Sequence, residues 1–533
     1  IAQLKWPPNI MILQPHLILL TAVSATLPYA GGDPTITTAE EGWEHAKKVI
    51  ARIQQPFFPD VDHNIKDFGA IGDGVSDCTD AFKTAIDHAH KTGGGRVVVP
   101  PGGVYLSGPI VLKSNVELHL KSSSIIRFKQ DPLAYLPLVR TRWEGVELMN
   151  YSPLIYAYEE ENIAITGEGT LDGNANEEVW WPWKYGLQYE GRDRLFQMAK
   201  DNVPVEERIF GEGYYLRPNF IEPYRSKNIL IQDIKIINSP MWVIHPTFCS
   251  NVIVRGVTVD SHGPNNDGCD PDSCKDVLIE NSSFDTGDDC VAVKSGRGDD
   301  GRRVNIPSVN IIMRNCTMKD GHGGLVAGSE IAAGVRNLFA EDCLWNIPNL
   351  RYGLRIKSNP LFGGVAENIF IRNIHMKQVS RAAIRLNFKY EQVEVGPHMP
   401  RANNIFADNI TSERSQHALQ LEALSDAWSN NITIRQSNFS DVEKPNIISY
   451  IDGLTLVDVC FEYLPYRPSI RDVAIMLFIG ASFALYLVEK FAHRTILVET
   501  RLGVVNITKP ISSMMALSKG LNPLRSRAVH AKY

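Results

Sequence analysis

A short phrase returns nine times through the middle of the chain: a polar residue, then Asn or Asp, then apolar residues at alternating positions. It reads ENIAITG at 161, KNILIQD at 227, SNVIVRG at 250, KDVLIEN at 275, VNIIMRN at 309, RNLFAED at 336, ENIFIRN at 367, NNIFADN at 403 and NNITIRQ at 430. The second residue falls at 162, 228, 251, 276, 310, 337, 368, 404 and 431, so after one long first gap the steps are 23, 25, 34, 27, 31, 36 and 27 residues. A period of this size with one short strand pattern per repeat marks a solenoid. Alternation turns one face of each strand inward. Leucine-rich repeats would bring a regular leucine scaffold and helices, and this chain has neither pattern. The repeat therefore predicts an all-β fold, a parallel β-helix whose coils stack one on the next. The longer steps push loops out of a turn, where function concentrates.

A solenoid needs its first coil covered, or its core and strand edges stay open. Residues 77–91, DCTDAFKTAIDHAHK, supply a capping helix, with Asp77 as N-cap and Phe82, Ala85, Ile86 and Ala89 as its apolar stripe. Gly93, Gly94 and Gly95 end it. The eight cysteines contain no CxxC pair, so zinc is not expected. Cys249 and Cys274 each stand two residues before the repeat anchor of consecutive coils, and Cys316 and Cys343 each stand six after it. A stacked ladder of small buried residues is the expectation there, with disulfides as the alternative.

The same register gathers chemistry. The turn after the 251 phrase reads SHGPNNDGCDP, and the one after the 276 phrase reads FDTGDDCVAVKSG. Asp267 and Asp288 are 21 residues apart, close to one coil, so Asp267, Asp288 and Asp289 meet on one face. Crowded carboxylates repel, and at least one pKa should rise. Groups with pKa values pushed apart are what general acid and base catalysis needs. The next coil places Gly321-His322-Gly323 at the corresponding turn, and the one after carries Arg355-Ile356-Lys357. Residues two apart in a strand point the same way, so both cations project together. A lone GDD is often a turn and a lone RxK pair a solvated face. The ordered set at coil spacing describes a site able to hold an acidic sugar.

NND at 265–267, GDD at 287–289, GHG at 321–323 and RIK at 355–357 resemble the four ordered motifs of family 28 glycoside hydrolases, the polygalacturonases, over roughly residues 60–456. The first family motif is usually Asn-Thr-Asp, and here Asn266 takes the middle place. The resemblance implies a right-handed parallel β-helix and hydrolysis of galacturonic-acid linkages in pectin. It implies Asp288 as general acid, Asp267 and Asp289 as holders of the attacking water, and His322 as a partner that helps keep the acid protonated. It implies Arg355 and Lys357 as ligands of the galacturonate carboxylate. The family inverts the anomeric centre, which calls for carboxyl groups about 6.5–9.5 Å apart. It requires no metal and no cofactor.

The chain spends 66 residues between Asn162 and Asn228, including Trp180, Trp181, Trp183, Tyr185, Tyr189, Tyr214 and Tyr215, and an irregular stretch from 131 adds Trp143. Aromatic rings stack on sugars, and a long loop can wall off a cleft, which resembles the exo-acting branch of the family. Residues 17–23 form a short apolar run that reads as a leader within 1–30, and hence as secretion. The β-helix domain then spans 31–456 with its cap at about 60–100, followed by a tail over 457–533. Residues 473–488 of that tail form an apolar run followed by basic residues. It reads equally as a membrane anchor, a buried capping helix or a gene-model error.

A net charge of −6 does not suit a nucleic-acid binder. The expected partner is a pectic polysaccharide, met by a monomer. Rhamnogalacturonan and xylogalacturonan stay open as substrates. A lyase on the same fold would need a calcium-binding acidic cluster and a cationic base, and the order of GDD and GHG argues against it. A non-catalytic glycan-binding β-helix leaves the crowded carboxylates unexplained. Seven Asn-x-Ser/Thr sequons occur, at Asn150, Asn281, Asn315, Asn409, Asn431, Asn438 and Asn506.

Overall fold

Each repeated phrase forms a strand, and the strands stack in register. The computed structural model describes residues 36–346 and 349–465. In chain order these strands are β1 (Glu161–Gly167), β2 (Lys227–Gln232), β3 (Ser250–Arg255), β4 (Lys275–Glu280) and β5 (Ser308–Arg314). Then come β6 (Val335–Asn346), β7 (Val365–Asn387), β8 (Arg401–Ser412) and β9 (Ser429–Val442), and a tenth strand outside the nine phrases, β10 (Ile451–Tyr463), continues the stack. Every pairing between successive members is parallel. One column of inward residues runs through the whole stack: Ile163, Ile229, Val252, Val277, Ile311, Leu338, Ile369, Ile405, Ile432 and Leu454. Each β-branched or leucine side chain sits on its equivalent one coil away, so the core is a line rather than a ball.

The Asn that precedes each inward residue has a structural reason. Asn162, Asn228, Asn251, Asn310, Asn337, Asn368, Asn404 and Asn431 all take positive φ, which Asn tolerates better than other side chains. Each can then donate its amide to the equivalent oxygen one coil down. Asn337 donates to Asn310 at 3.0 Å, Asn368 to Asn337 at 3.0 Å, Asn404 to Asn368 at 3.0 Å and Asn431 to Asn404 at 2.8 Å. The ladder breaks at Asp276, whose carboxylate has no N–H to pass on to Asn251. The N-terminal arm completes it: Arg52 donates to both Asp276 oxygens at 3.0 and 2.6 Å, and the Gln54 backbone exchanges hydrogen bonds with the Asn251 amide. The sequon asparagines Asn409 and Asn431 serve as ladder members, and Asn150 is buried and bonded to the Leu216 carbonyl.

Helix α1 (Ala39–Arg52), which the repeat did not announce, belongs to that arm. Thr38 and Glu41 form a reciprocal capping box. Trp43 packs on Phe339 and Phe370, with ring centroids 5.6 and 6.4 Å apart. The middle residues of the early strands, Ala164, Leu230 and Ile253, are likewise buried, beneath Ile53 and Phe58. The outer faces of these strands are therefore apolar because the arm covers them.

Helix α2 (Thr79–Lys91) buries Phe82, Ala85, Ile86 and Ala89, the expected stripe. Its N-cap is Cys78, not Asp77; the Asp77 carboxylate instead accepts the Thr79 N–H at 3.0 Å from one residue further out. All eight cysteines carry free thiols. Cys249 stacks on Cys274 and Cys316 on Cys343, each pair joined by a backbone N–H to sulfur contact of 3.4 Å, so the ladder reading holds over disulfides. Strand β10 extends to Tyr463, seven residues past the expected end at 456. The leader region and the apolar run at 473–488 lie outside the described residues. Among the described residues, no helix is long and apolar enough to cross a membrane.

Candidate active site

Three short strands, Val291–Val293, Leu325–Ala327 and Tyr352–Lys357, stack in parallel beside the main column and fix the site. Below them the 265–272 segment pairs in the same direction, with Cys269 opposite Val291 and Asp272 opposite Lys294. The Gly268 N–H donates to the Asp289 carbonyl at 2.9 Å, which brings Asp267 and Asp289 to the same height on adjacent coils. Asn266 staples the turn. Its oxygen accepts from Ser261 Oγ at 2.6 Å and Gly263 N at 2.9 Å, and its amide donates to the Ser239 and Met241 carbonyls, each at 3.1 Å. Glycine is required above: a Cβ on Gly323 would lie 2.5 Å from Val326 and 3.1 Å from Asp289 Oδ1. Gly321 has φ +150° with its missing Cβ directed 2.6 Å from the Asp288 carbonyl.

The expected residues do meet. One oxygen from each of Asp267, Asp288 and Asp289 lies within 4.8 Å of the other two. Their nearest oxygens are closer than the carboxyl separation expected of an inverting pair, because Asp288 and Asp289 are neighbours on one coil and Asp267 stands at the same turn of the coil before it. His322 Nδ1 is 2.8 Å from Asp288 Oδ1. Asp289 is held by Lys357 Nζ at 2.6 Å on one oxygen and Arg355 Nη1 at 3.5 Å on the other. Lys357 is thus first a partner of Asp289, and Arg355, whose guanidinium lies over the Tyr352 ring at 4.7 Å, is the more open cation of the two. The Asp288 side chain is 20% exposed, against 4% for Asp267 and 0% for Asp289.

The charges are not shared evenly. Burial, with Asp270 and Asp288 adding to it, pushes the Asp267 carboxyl well above the usual range. Burial also pushes on Asp288, but the His322 hydrogen bond outweighs it and holds that carboxyl below its ordinary value. That hydrogen bond favours the carboxylate form of Asp288, so it lowers the pKa of the acid where the resemblance implied that it helps keep the acid protonated. Burial opposes the charge on Lys357, yet Asp289 raises its pKa. Lys357, Arg355 and Lys294 already bring the carboxylates the positive charge a cation would.

Several residues of the site escaped the motif reading. Lys294 Nζ stands 3.5 Å from each of Asp267, Asp270 and Glu330, and 4.4 Å from the centroid of the Trp242 ring. Arg297 joins Glu330 at 3.3 Å and is sandwiched between Phe196 and Phe362 at 4.3 and 4.2 Å. Burial works against ionisation of Glu330, but Lys294 and Arg297 bring its carboxyl down to about 2. The only hint was position: Asp270 follows Asp267 by three residues, and Lys294 ends the apolar run after GDD.

The aromatic segment is mostly packing. Trp180 and Trp143 are fully buried in apolar clusters. Trp181 donates its indole N–H to the Ser239 carbonyl at 2.9 Å, and Trp183 packs against Trp180 and Tyr215. Tyr185 and Tyr189 are the exposed rings, so the stacking expectation narrows to those two. The segment still borders the site. Helix α3 (Tyr189–Lys200) supplies the Phe196 under Arg297, and the tip of the hairpin Val139–Asn150 accepts the Arg297 N–H at the Gly145 carbonyl, 2.9 Å away.

The comparisons agree with this geometry. The sequence profile of Glycosyl hydrolases family 28 matches residues 212–456, which contain all six motif side chains. A probable polygalacturonase of Vitis vinifera is 31% identical over 330 residues, 60% of this chain and 61% of its own length. An exo-poly-alpha-D-galacturonosidase of Dickeya chrysanthemi is 29% identical over 357 residues, 61% of this chain and 57% of its own length. The chain thus spans about three fifths of these two relatives. The crystal structure of a hyperthermoactive exopolygalacturonase from Thermotoga maritima is similar with a TM-score of 0.75 and 44% identity, over 78% of this chain and 96% of that one. A motif set, a stacked-coil frame that places it and a relative similar over nearly its whole length agree: the chain belongs to glycosyl hydrolases family 28.

Proposed function

We propose that the protein is a secreted exo-polygalacturonase, which releases galacturonate from the ends of α-1,4-linked pectic chains with inversion. The fold that carries it is a right-handed parallel β-helix with α2 as its N-terminal cap and β10 as its last described strand. The observation that carries the reading is the exposure of one carboxylate in a cluster of three. A general acid must touch the glycosidic oxygen, and only Asp288 faces the open side. The proton for the acid step is assigned to the Asp288–His322 contact, 2.8 Å long. As the leaving oxygen gains charge, that proton passes through Asp288 to it. Asp267 and Asp289 are too buried to reach the anomeric carbon, so they act on a water between them and the sugar. That water route is the physical support for inversion despite the short spacing. Arg355 takes the galacturonate carboxylate, and Lys357 reaches it with the donors that Asp289 leaves over. The end wall is the junction of α3, the 139–150 hairpin and Arg297.

Proton NMR of freshly formed product tests the water route. Inversion of an α-linkage gives the β-anomer first, before mutarotation. The α-anomer as first product would mean a covalent intermediate on one of these carboxylates and would sink the assigned roles.

A further inference from the structure

Lys294 is a buried cation that the mechanism above does not use. Its side chain is 3% exposed, and its ammonium lies 3.5 Å from Asp267, from Asp270 and from Glu330. The Trp242 ring closes the remaining side at 4.4 Å. Desolvation opposes the charge of a lysine this deep, and the carboxylates around it offset that. Among the described residues, both oxygens of Asp270 and Oδ1 of Asp267 are buried without a hydrogen-bond partner, and the Lys294 ammonium, 3.5 Å from each carboxylate, gives them electrostatic support.

We propose that Lys294 is a positioning residue that favours the ionised form of Asp267 and aims it at the attacking water, and so sets the acid limb of the pH profile. This rests on the assignment of Asp267 as a water holder. The groups that face Asp267 are Asp270 beside it on the same segment, Asp288 and Asp289 from the next coil, Lys294 beyond them and Arg217 from below. Lys294 itself faces Asp267, Asp270, Glu330 and Asp289, with Lys357 near enough to feel its charge. Carboxylates outnumber cations around Asp267, and burial already favours its protonated form. Removing the ammonium leaves that preference unopposed. Asp267 must ionise to take a proton from water, so its ionisation sets the lower pH edge of activity.

The experiment measures kcat and KM for galacturonate release from polygalacturonate as a function of pH. Lys294→Met keeps the stem on Trp242 and deletes the charge. Its acid limb is expected to move to higher pH by about 1–3 units, with kcat rather than KM affected. Lys294→Arg keeps the charge and returns the limb towards wild type. Asp270→Asn removes a competing negative charge, so its limb moves the other way, to lower pH. A folded Lys294→Met with the wild-type limb overturns the proposal. If that variant does not fold, Lys294→Gln decides: a raised limb supports the proposal, and an unmoved or lowered limb overturns it. Asp267→Asn separates the two readings. Full activity in that variant removes Asp267 from the mechanism, whereas an inactive Asp267→Asn beside an unmoved Lys294→Met limb removes only the role of Lys294.

Discussion

Replacing Asp288 by Asn lowers kcat on polygalacturonate by on the order of 10²–10⁴-fold and changes KM little. The substitution is isosteric and keeps a polar partner 2.8 Å from His322, so the fold and the cleft stay as they are. What disappears is the one acid with an open face. Asp267 and Asp289 cannot replace it, because their side chains are 4% and 0% exposed and are tied to Lys294 and to Lys357 with Arg355. Steady-state kinetics with equal amounts of folded protein check this. A loss of less than tenfold would move the acid role elsewhere.

The second large effect concerns stability. Asp272 and Arg142 form an ion pair at 2.9 Å, with both side chains wholly buried. The same carboxylate accepts the Gly296 N–H at 3.1 Å and lies 3.4 Å from His245 Nε2. The Asp272→Ala variant leaves a buried guanidinium with the Ser273 hydroxyl at 2.9 Å and the Phe248 ring at 4.7 Å but without its carboxylate, and frees the turn that follows Lys294. Breaking a buried pair from one side costs about 3–5 kcal/mol, far more than the net value of the pair itself. The denaturant midpoint at unchanged slope measures it. A loss under about 1 kcal/mol would mean that water reaches Arg142 readily.

The repeat was legible because a stacked coil writes the same demand at every turn: an inward apolar residue and an Asn that tolerates positive φ. The six motif residues were legible for a related reason, since equal offsets from the anchors become neighbours once the coils stack. Helix α1 was missed although Thr38 and Glu41 spell a capping box, because nothing in a local pattern says that an N-terminal helix will lie along later coils. Its partners Phe339 and Phe370 are about three hundred residues away in the sequence. Lys294 was missed for the opposite reason: it stands beside a motif, but a lysine that ends an apolar run usually reaches solvent. The aromatic segment was overread, since a Trp that fills a cavity and one that waits for sugar look alike until burial is known. The charge order within Asp267, Asp288 and Asp289 could not be read from spacing either. It depends on which carboxylate His322 touches and which ones water reaches.

The most direct test is a time course on polygalacturonate, with products separated by size and examined for ultraviolet absorption from unsaturated ends. The account predicts saturated galacturonate monomer from the earliest times, with long chains shortening slowly from their ends. A ladder of saturated oligomers would contradict the end wall while keeping the hydrolase. Unsaturated products, or none from any pectic glycan, would contradict the account at its centre.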